Sequence, residues 1–191
     1  MVTFKTQETL SHSGHEVTIR CEDPPDIDQV RLINELAFGQ PDEASLVDRL
    51  RGTDGALSLV AVAQNLVVGH ILFTTVRIEG LLGTALGLAP MAVLPPYQRH
   101  GIGSLLVRAG LDVCRTSGHA VVVVLGHPEF YPRFGFVPAV TRELRCEWPV
   151  RPEMFMVLEL RRGALESAGG LVRYRPEFSD VSPARSDPKG S

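Results

Sequence analysis

Residues 98–104 read Gln-Arg-His-Gly-Ile-Gly-Ser, a composition suited to holding an anion. Glycines let the main chain approach a ligand with no Cβ in the way. A packed helix follows from Ser104, with Leu105, Leu106, Ala109, Leu111 and Val113 as its apolar positions and a stop near Gly118. A helix start exposes unbonded N–H groups and about half a positive charge, and Arg99 adds a full one. Phosphate or pyrophosphate is the ligand such a turn suits. Gln98, Arg99, His100, Gly101, Ile102, Gly103 and Ser104 are therefore the candidate anion site. There is no GK[ST] triplet, which excludes a P-loop here, and a dinucleotide fingerprint needs a third glycine where Leu106 stands. A GxG pair alone also marks an ordinary strand-to-helix turn.

A second group of chemical side chains lies in "HPEFYPRFGF", residues 127–136. His127 is of the type that titrates near neutrality. It also suits a capping or packing role beside Pro128. Glu129 reads equally as a charge at a helix start, and Tyr131 as part of an aromatic cluster with Phe130, Phe134 and Phe136. His12, His15, His70 and His119 show no metal-ligand spacing, so no metal is expected. Cys21, Cys114 and Cys146 form no CxxC pair and imply no disulfide framework.

These residues need elements to position them, and the chain reads as mixed α and β. A first strand is expected over 17–22. Pro24 and Pro25 then break the chain before a helix with Asp26 as N-cap and Gln29 closing a capping box. Ile27, Val30, Ile33, Leu36 and Ala37 share its apolar face, and Gly39 ends it. A shorter helix follows over 41–52. Strands are expected over 57–63 and 66–78, then over 84–94. Pro90 inside the last of these marks either an edge strand or a deliberate break in pairing. The run at 119–126 is almost purely β-branched, as in a strand buried on both faces. Residues 153–161 form a last long strand, "GLVRYRPEF" adds a further strand or a cover, and 179–191 reads as a disordered tail.

A broken strand, QxxGxG, a helix and a strand in that order resemble the acetyl-coenzyme A site of the GNAT superfamily of N-acetyltransferases. Gln98, Gly101 and Gly103 match its Q/R-x-x-G-x-G/A turn, and Tyr131, Gly135 and Phe136 match its Y-x-x-x-G-F segment. The wording of 126–138 is most similar to the bacterial YhbS-like branch. The resemblance implies an α/β fold around a mixed sheet of about seven strands, with helices on both faces. It also implies a splay between the fourth and fifth strands at Pro90. Met91, Ala92 and Val93 would then border the thioester, and Tyr131 would be the general acid. Many relatives carry a glutamate on the splayed strand, whereas "LGLAPMAVL" holds no acid. His127, Glu129 or a water relay to a main-chain carbonyl then remain as the base.

The resulting expectation is one domain over 1–178, with a flexible segment at 1–15, transferring acetyl from acetyl-CoA to a primary amine. Composition agrees with such an enzyme: 191 residues, 44% apolar, 21% charged, net charge −3. That balance gives no field for nucleic acid or an anionic membrane. The polar N-terminus and the cysteine usage point to the cytoplasm. The acceptor would meet residues 26–52, where Glu35, Asp42, Glu43 and Asp48 could face a cationic amine, and a small amine or a peptide both fit. A homodimer is compatible with all of this. Two rivals stand beside it: a non-catalytic acyl-CoA sensor, and a nucleotide- or phosphometabolite-binding enzyme reusing the glycine turn.

Overall fold

The computed structural model describes residues 10–12 and 15–180. The strands are β1 (Leu10–His12), β2 (His15–Cys21), β3 (Leu57–Ala63), β4 (Leu66–Glu79), β5 (Ala85–Val93), β6 (Val121–Leu125), β7 (Val137–Pro138), β8 (Leu144–Cys146), β9 (Phe155–Glu159) and β10 (Gly169–Arg173). The helices are α1 (Ile27–Phe38), α2 (Asp42–Leu50) and α3 (Ile102–Thr116). Hydrogen-bonded neighbours run β1-β2-β3-β4-β5-β6-β9-β7, with β10 joining β4 to β8 off that path. Among the described residues seven strands have five or more residues, in line with the about seven that the resemblance implied, and β1, β7 and β8 are shorter additions. Along the main path, only the β5–β6 pair is parallel.

Strand β4 decides which helix sits where, because its side chains alternate between the two sheet faces. Gly69 and Phe73 face α3: a Cβ at Gly69 would lie 3.1 Å from Leu106, and one at Gly110 would lie 2.4 Å from Phe73. His70 faces α1 instead, where Asn34 meets it. Helices therefore cover both faces. Within β6, Val121, Val122, Val123 and Val124 are all fully buried, which is why that run does not alternate.

The β5–β6 ladder starts at Ala85 opposite Val121 and stops at Leu88 opposite Val124. Strand β5 nevertheless continues to Val93, held by β4 through Ile71–Met91, His70–Ala92 and Gly69–Val93. The β4–β5 register shifts between Ile71 and Phe73, opposite Ala89 and Pro90, and the Ala89–Pro90 peptide is cis. Of the two readings of Pro90, the edge strand fails, since β5 has a neighbour on each side. The splay is real and opens after Leu88.

Several local expectations need correction. The capping box is Asp23 with Asp26, not Asp26 with Gln29. Residues Pro24–Asp26 form a 3-10 turn, and the Asp23 N–H donates to Asp26 Oδ2 at 2.8 Å. Arg20 draws that carboxylate toward β2, with Nη2 donating to Oδ1 at 2.8 Å, so Asp26 keeps the N-cap position of α1, which starts at Ile27 as expected, but its side chain does not cap that helix. Leu36 lies off the buried face at 52% exposure, while Val30 and Ile33 are fully buried. Within the segment expected at 1–15, Leu10–His12 pair with β2, His12 opposite His15 and Leu10 opposite Val17. Residues 1–9, 13–14 and 181–191, which carry the rest of the flexible-segment and tail expectations, lie outside the described residues.

One polar chain ties α1, the two strands β3 and β4, Glu22 just after β2, and α2 together. Asn34 Nδ2 donates to Val30 O and reaches His70 Nδ1 at 3.3 Å. His70 Nε2 contacts Ser58 Oγ at 2.9 Å, and Ser58 donates in turn to Glu22. Arg51 donates to Glu22 at 3.0 Å and to Asp48 at 2.6 Å. The Asn34 amide makes Nδ1 the acceptor and Nε2 the bearer of the ring proton. Burial, aided by the charge of Arg51, pushes the His70 pKa down to about 3.

Candidate active site

The glycine turn leaves β5 through two prolines. Pro95–Tyr97 form a 3-10 turn, and Gln98 Nε2 donates to the Val93 carbonyl at 2.9 Å. The Gln98 side chain therefore ties the turn to the end of β5. Arg99 and Gly101 both adopt left-handed φ, at 62° and 84°. Two such residues bend the main chain sharply into α3. Helix α3 begins at Ile102, two residues earlier than expected, and its first bond runs from Leu105 N–H to Gly101 O at 3.1 Å. The N–H groups of Ile102, Gly103 and Ser104 precede that bond and have no partner inside the helix.

Gly103 shows what the glycine preserves. A Cβ there would meet Met91 Cε at 3.5 Å and Phe130 Cζ at 3.7 Å, ordinary contact distances. The fold has room for a Cβ at this point, so packing does not demand glycine here, and its absence of a side chain keeps access to the N–H groups open. The same distances bring three separate segments to one place: the free end of β5 through Met91, the α3 start, and the aromatic segment through Phe130. Val93 is partly buried nearby on β5, while Ala92 is buried opposite His70, on the sheet face away from α3.

Tyr131 opens the 3-10 turn Tyr131–Phe134 just after β6 and is buried at 6% exposure. Its ring lies edge-on to Phe130 at 5.0 Å and to Phe136 at 5.7 Å. A Cβ at Gly126 would stand 2.3 Å from that ring, so the glycine ending β6 is the seat of the tyrosine. Burial pushes the phenol pKa up, which keeps it protonated and makes it a hydrogen-bond donor. The tyrosine of this aromatic cluster therefore also carries a protonated hydroxyl. His127 and Glu129 are both exposed, and the Glu129 carbonyl accepts from Arg133 at 3.1 Å.

Two other constellations resolve differently. Ser58, His70 and Glu22 have the residue types of a hydrolytic triad in the wrong order. Serine sits between histidine and glutamate and gives its proton to Glu22, so no base activates it. Of the acids in residues 26–52, Glu35 pairs with Arg31 at 3.1 Å, Asp48 with Arg51 at 2.6 Å, and Glu43 accepts from Gln40 at 3.1 Å. These three are engaged within the chain. Among the described residues no group of three or more His, Cys, Asp or Glu is placed to hold a metal ion, and no helix is long and apolar enough to cross a membrane.

Sequence reasoning missed Gly126, and it missed Thr74, Gly87 and Tyr174 on the opposite sheet face. The Tyr174 ring covers Gly87, where a Cβ would lie 2.7 Å from Cε1. Gly87 is one residue before the last β5–β6 pair. The hydroxyls of Thr74 and Tyr174 are both buried without a hydrogen-bond partner, and Trp148 and Phe178 flank the Tyr174 ring at 4.7 Å and 5.2 Å. Only the run of β-branched residues ending in Gly126 carried a readable hint.

Comparison with known proteins agrees with this geometry. The Acetyltransferase (GNAT) domain model matches residues 54–138. The chain is 38% identical over 164 residues to the uncharacterized N-acetyltransferase YhbS of Escherichia coli (strain K12), covering 84% of this chain and 98% of that relative. It is 41% identical over 129 residues to the uncharacterized N-acetyltransferase YjhQ of the same strain, covering 65% of this chain and 71% of the relative. The crystal structure of Escherichia coli YhbS in complex with CoA superposes with a TM-score of 0.79 at 36% identity, covering 93% of this chain and 96% of that one. A GNAT acetyltransferase from Brucella melitensis in complex with acetyl-CoA gives 0.71 at 34% identity, covering 88% and 99%. Identity at this level across nearly all of a relative, with a fold that superposes over nearly the whole of both chains, places this one in the GNAT family of N-acetyltransferases.

Proposed function

We propose that this protein binds acetyl-CoA along the splay and transfers its acetyl group to a primary amine by direct attack within a ternary complex. The observation that carries the reading is the end of the β5–β6 ladder at Leu88 beside a helix start with open N–H groups. The diphosphate lies on the main chain of residues 101–104, with Arg99 and His100 at its rim. The pantetheine amides take the place of a strand along 89–93, bringing the thioester to Met91, Ala92 and Val93.

The chemistry follows from charge and proton balance. A lysine-like amine has a pKa of about 10.4, so its neutral form lies roughly 4.6 kcal/mol uphill at pH 7. The ammonium proton must leave before the nitrogen attacks. His127 and Glu129 are the titratable groups nearest in the chain, and a water passing the proton to bulk serves equally. As the C–N bond forms, a main-chain N–H of β5 stabilises the oxyanion. As the C–S bond breaks, the Tyr131 hydroxyl donates to the departing sulfur. The acceptor, a small amine or a peptide, approaches from the sheet face that carries Thr74 and Tyr174, whose hydroxyls are buried and unpartnered. A bacterial cytoplasm is the setting this reading implies, and bacterial relatives support it.

One observation favours a second reading. Strand β5, ALGLAPMAV, carries no carboxylate, so the fold would also serve as a sensor that binds the coenzyme without turnover. The test is thiol release from acetyl-CoA across a panel of amines, with wild type and Tyr131→Phe. Amine-dependent release reduced in the variant supports the enzyme. Tight coenzyme binding with no amine-dependent release anywhere in the panel supports the sensor.

A further inference from the structure

We propose that Arg108 and Arg133 form a second anion subsite beside the α3 start, and that it takes a phosphate monoester at the nucleoside end of the coenzyme, the ribose 3′-phosphate. This rests on the coenzyme reading above and deepens it. Each of these arginines has an acid four residues away in the sequence, the spacing at which helical ion pairs form. Neither carboxylate holds its arginine. Asp112, four residues after Arg108, receives Arg115 at 2.7 Å instead. Arg133 donates to the main-chain carbonyl of Glu129 rather than to its carboxylate.

What holds both guanidiniums is a pair of aromatic rings. Arg108 lies over Phe134 at 5.9 Å and Arg133 over Phe130 at 4.9 Å. The two rings touch edge to face at 5.3 Å. A guanidinium stacked on a ring face keeps its N–H edge turned outward in a fixed plane, the geometry that grips phosphate oxygens. The rings also fix the distance to the glycine turn, because Phe130 is 3.7 Å from the Cβ position of Gly103. Arg108 is six residues after Ile102, about 9 Å along the helix, and helical side chains lean back toward the N-terminus. Two cations thus stand on the ring pair that borders the α3 start, and among the described residues no carboxylate pairs with either.

Isothermal titration of wild type, Arg108→Gln, Arg133→Gln and the double variant with CoA and with 3′-dephospho-CoA tests this. The expected result is a preference of wild type for CoA that falls roughly tenfold with each arginine removed. Affinity for 3′-dephospho-CoA should stay constant throughout. Melting curves show whether the exposed substitutions leave the fold intact, and rising salt should shrink the wild-type preference. An unchanged CoA preference in the double variant, or an equal loss for both ligands, overturns the subsite. Failure of wild type to bind either ligand overturns the coenzyme reading itself, and the subsite with it.

Discussion

Acid should weaken this fold through one imidazole. His70 is fully buried among Asn34, Ser58 and the charged chain of Glu22, Arg51, Asp48 and Arg31, and its folded pKa is held down at about 3. In the unfolded chain a histidine takes its proton near pH 6.5. Between those values the unfolded state binds more protons, so stability rises with pH across the window. It is fully present above about pH 6.5 and is lost as the pH falls toward 3. The slope reaches about 1.4 kcal/mol per pH unit, and integration from pH 7 to pH 5 gives about 1.9 kcal/mol from His70 alone. Urea unfolding at pH 7, 6 and 5 measures it, with His70→Gln as the non-titrating comparison. The variant should be less stable at pH 7, yet its stability should fall by about 2 kcal/mol less between pH 7 and 5. The imidazole carbon shifts of wild type give a check that needs no variant and should remain those of the neutral ring at pH 5. A pH slope identical in both proteins, or a protonated His70 ring at pH 5 in the folded state, would refute the reasoning.

Other contacts give separate outcomes. Gly110→Ala sets a Cβ 2.4 Å from the Phe73 ring, so it should destabilise by about 1–3 kcal/mol although alanine favours helix; Phe73→Leu in the same background should recover part of the loss in urea titrations. Tyr131→Phe should lower acetyl transfer about a hundredfold while leaving the acetyl-CoA dissociation constant within a few-fold. Gly126→Ala, whose Cβ displaces the same ring, should reproduce that kinetic pattern without touching the hydroxyl. Asp26→Asn should cost about 1 kcal/mol at pH 7. Because Arg20 holds the Asp26 pKa down, stability from this contact is lost as pH falls through its folded pKa, and the gap between wild type and variant should close in acid.

The central site was the most legible part of the sequence because its signals are local. Gln98, Gly101 and Gly103 sit in a turn whose meaning lies in spacing, and Pro90 announces a break that any sheet must respect. Local pattern also located α3 and the buried β6. What it missed depends on pairing across the chain. Asp26 left its expected capping role because Arg20, on a different strand, claims its carboxylate. Leu36 has the apolar type of a buried position, but α1 packs through Val30 and Ile33 and leaves it exposed. Tyr174 and Thr74 come together only through the β10–β4 and β4–β5 registers, which no sequence window contains. The side chain of Gln98 holds the Val93 carbonyl, a contact that the spacing of the turn does not announce.

The most direct test of the account is calorimetric and thermal-melt titration with acetyl-CoA, CoA, ATP and NAD, comparing wild type with Gly103→Val. At 100 times its dissociation constant a ligand stabilises the fold by about 2.7 kcal/mol. The account predicts that shift with the two coenzyme A species alone and its disappearance in the variant, with the melting temperature of the ligand-free variant as the control for its fold. A larger shift with ATP or NAD, or coenzyme binding that survives valine at 103, would contradict it.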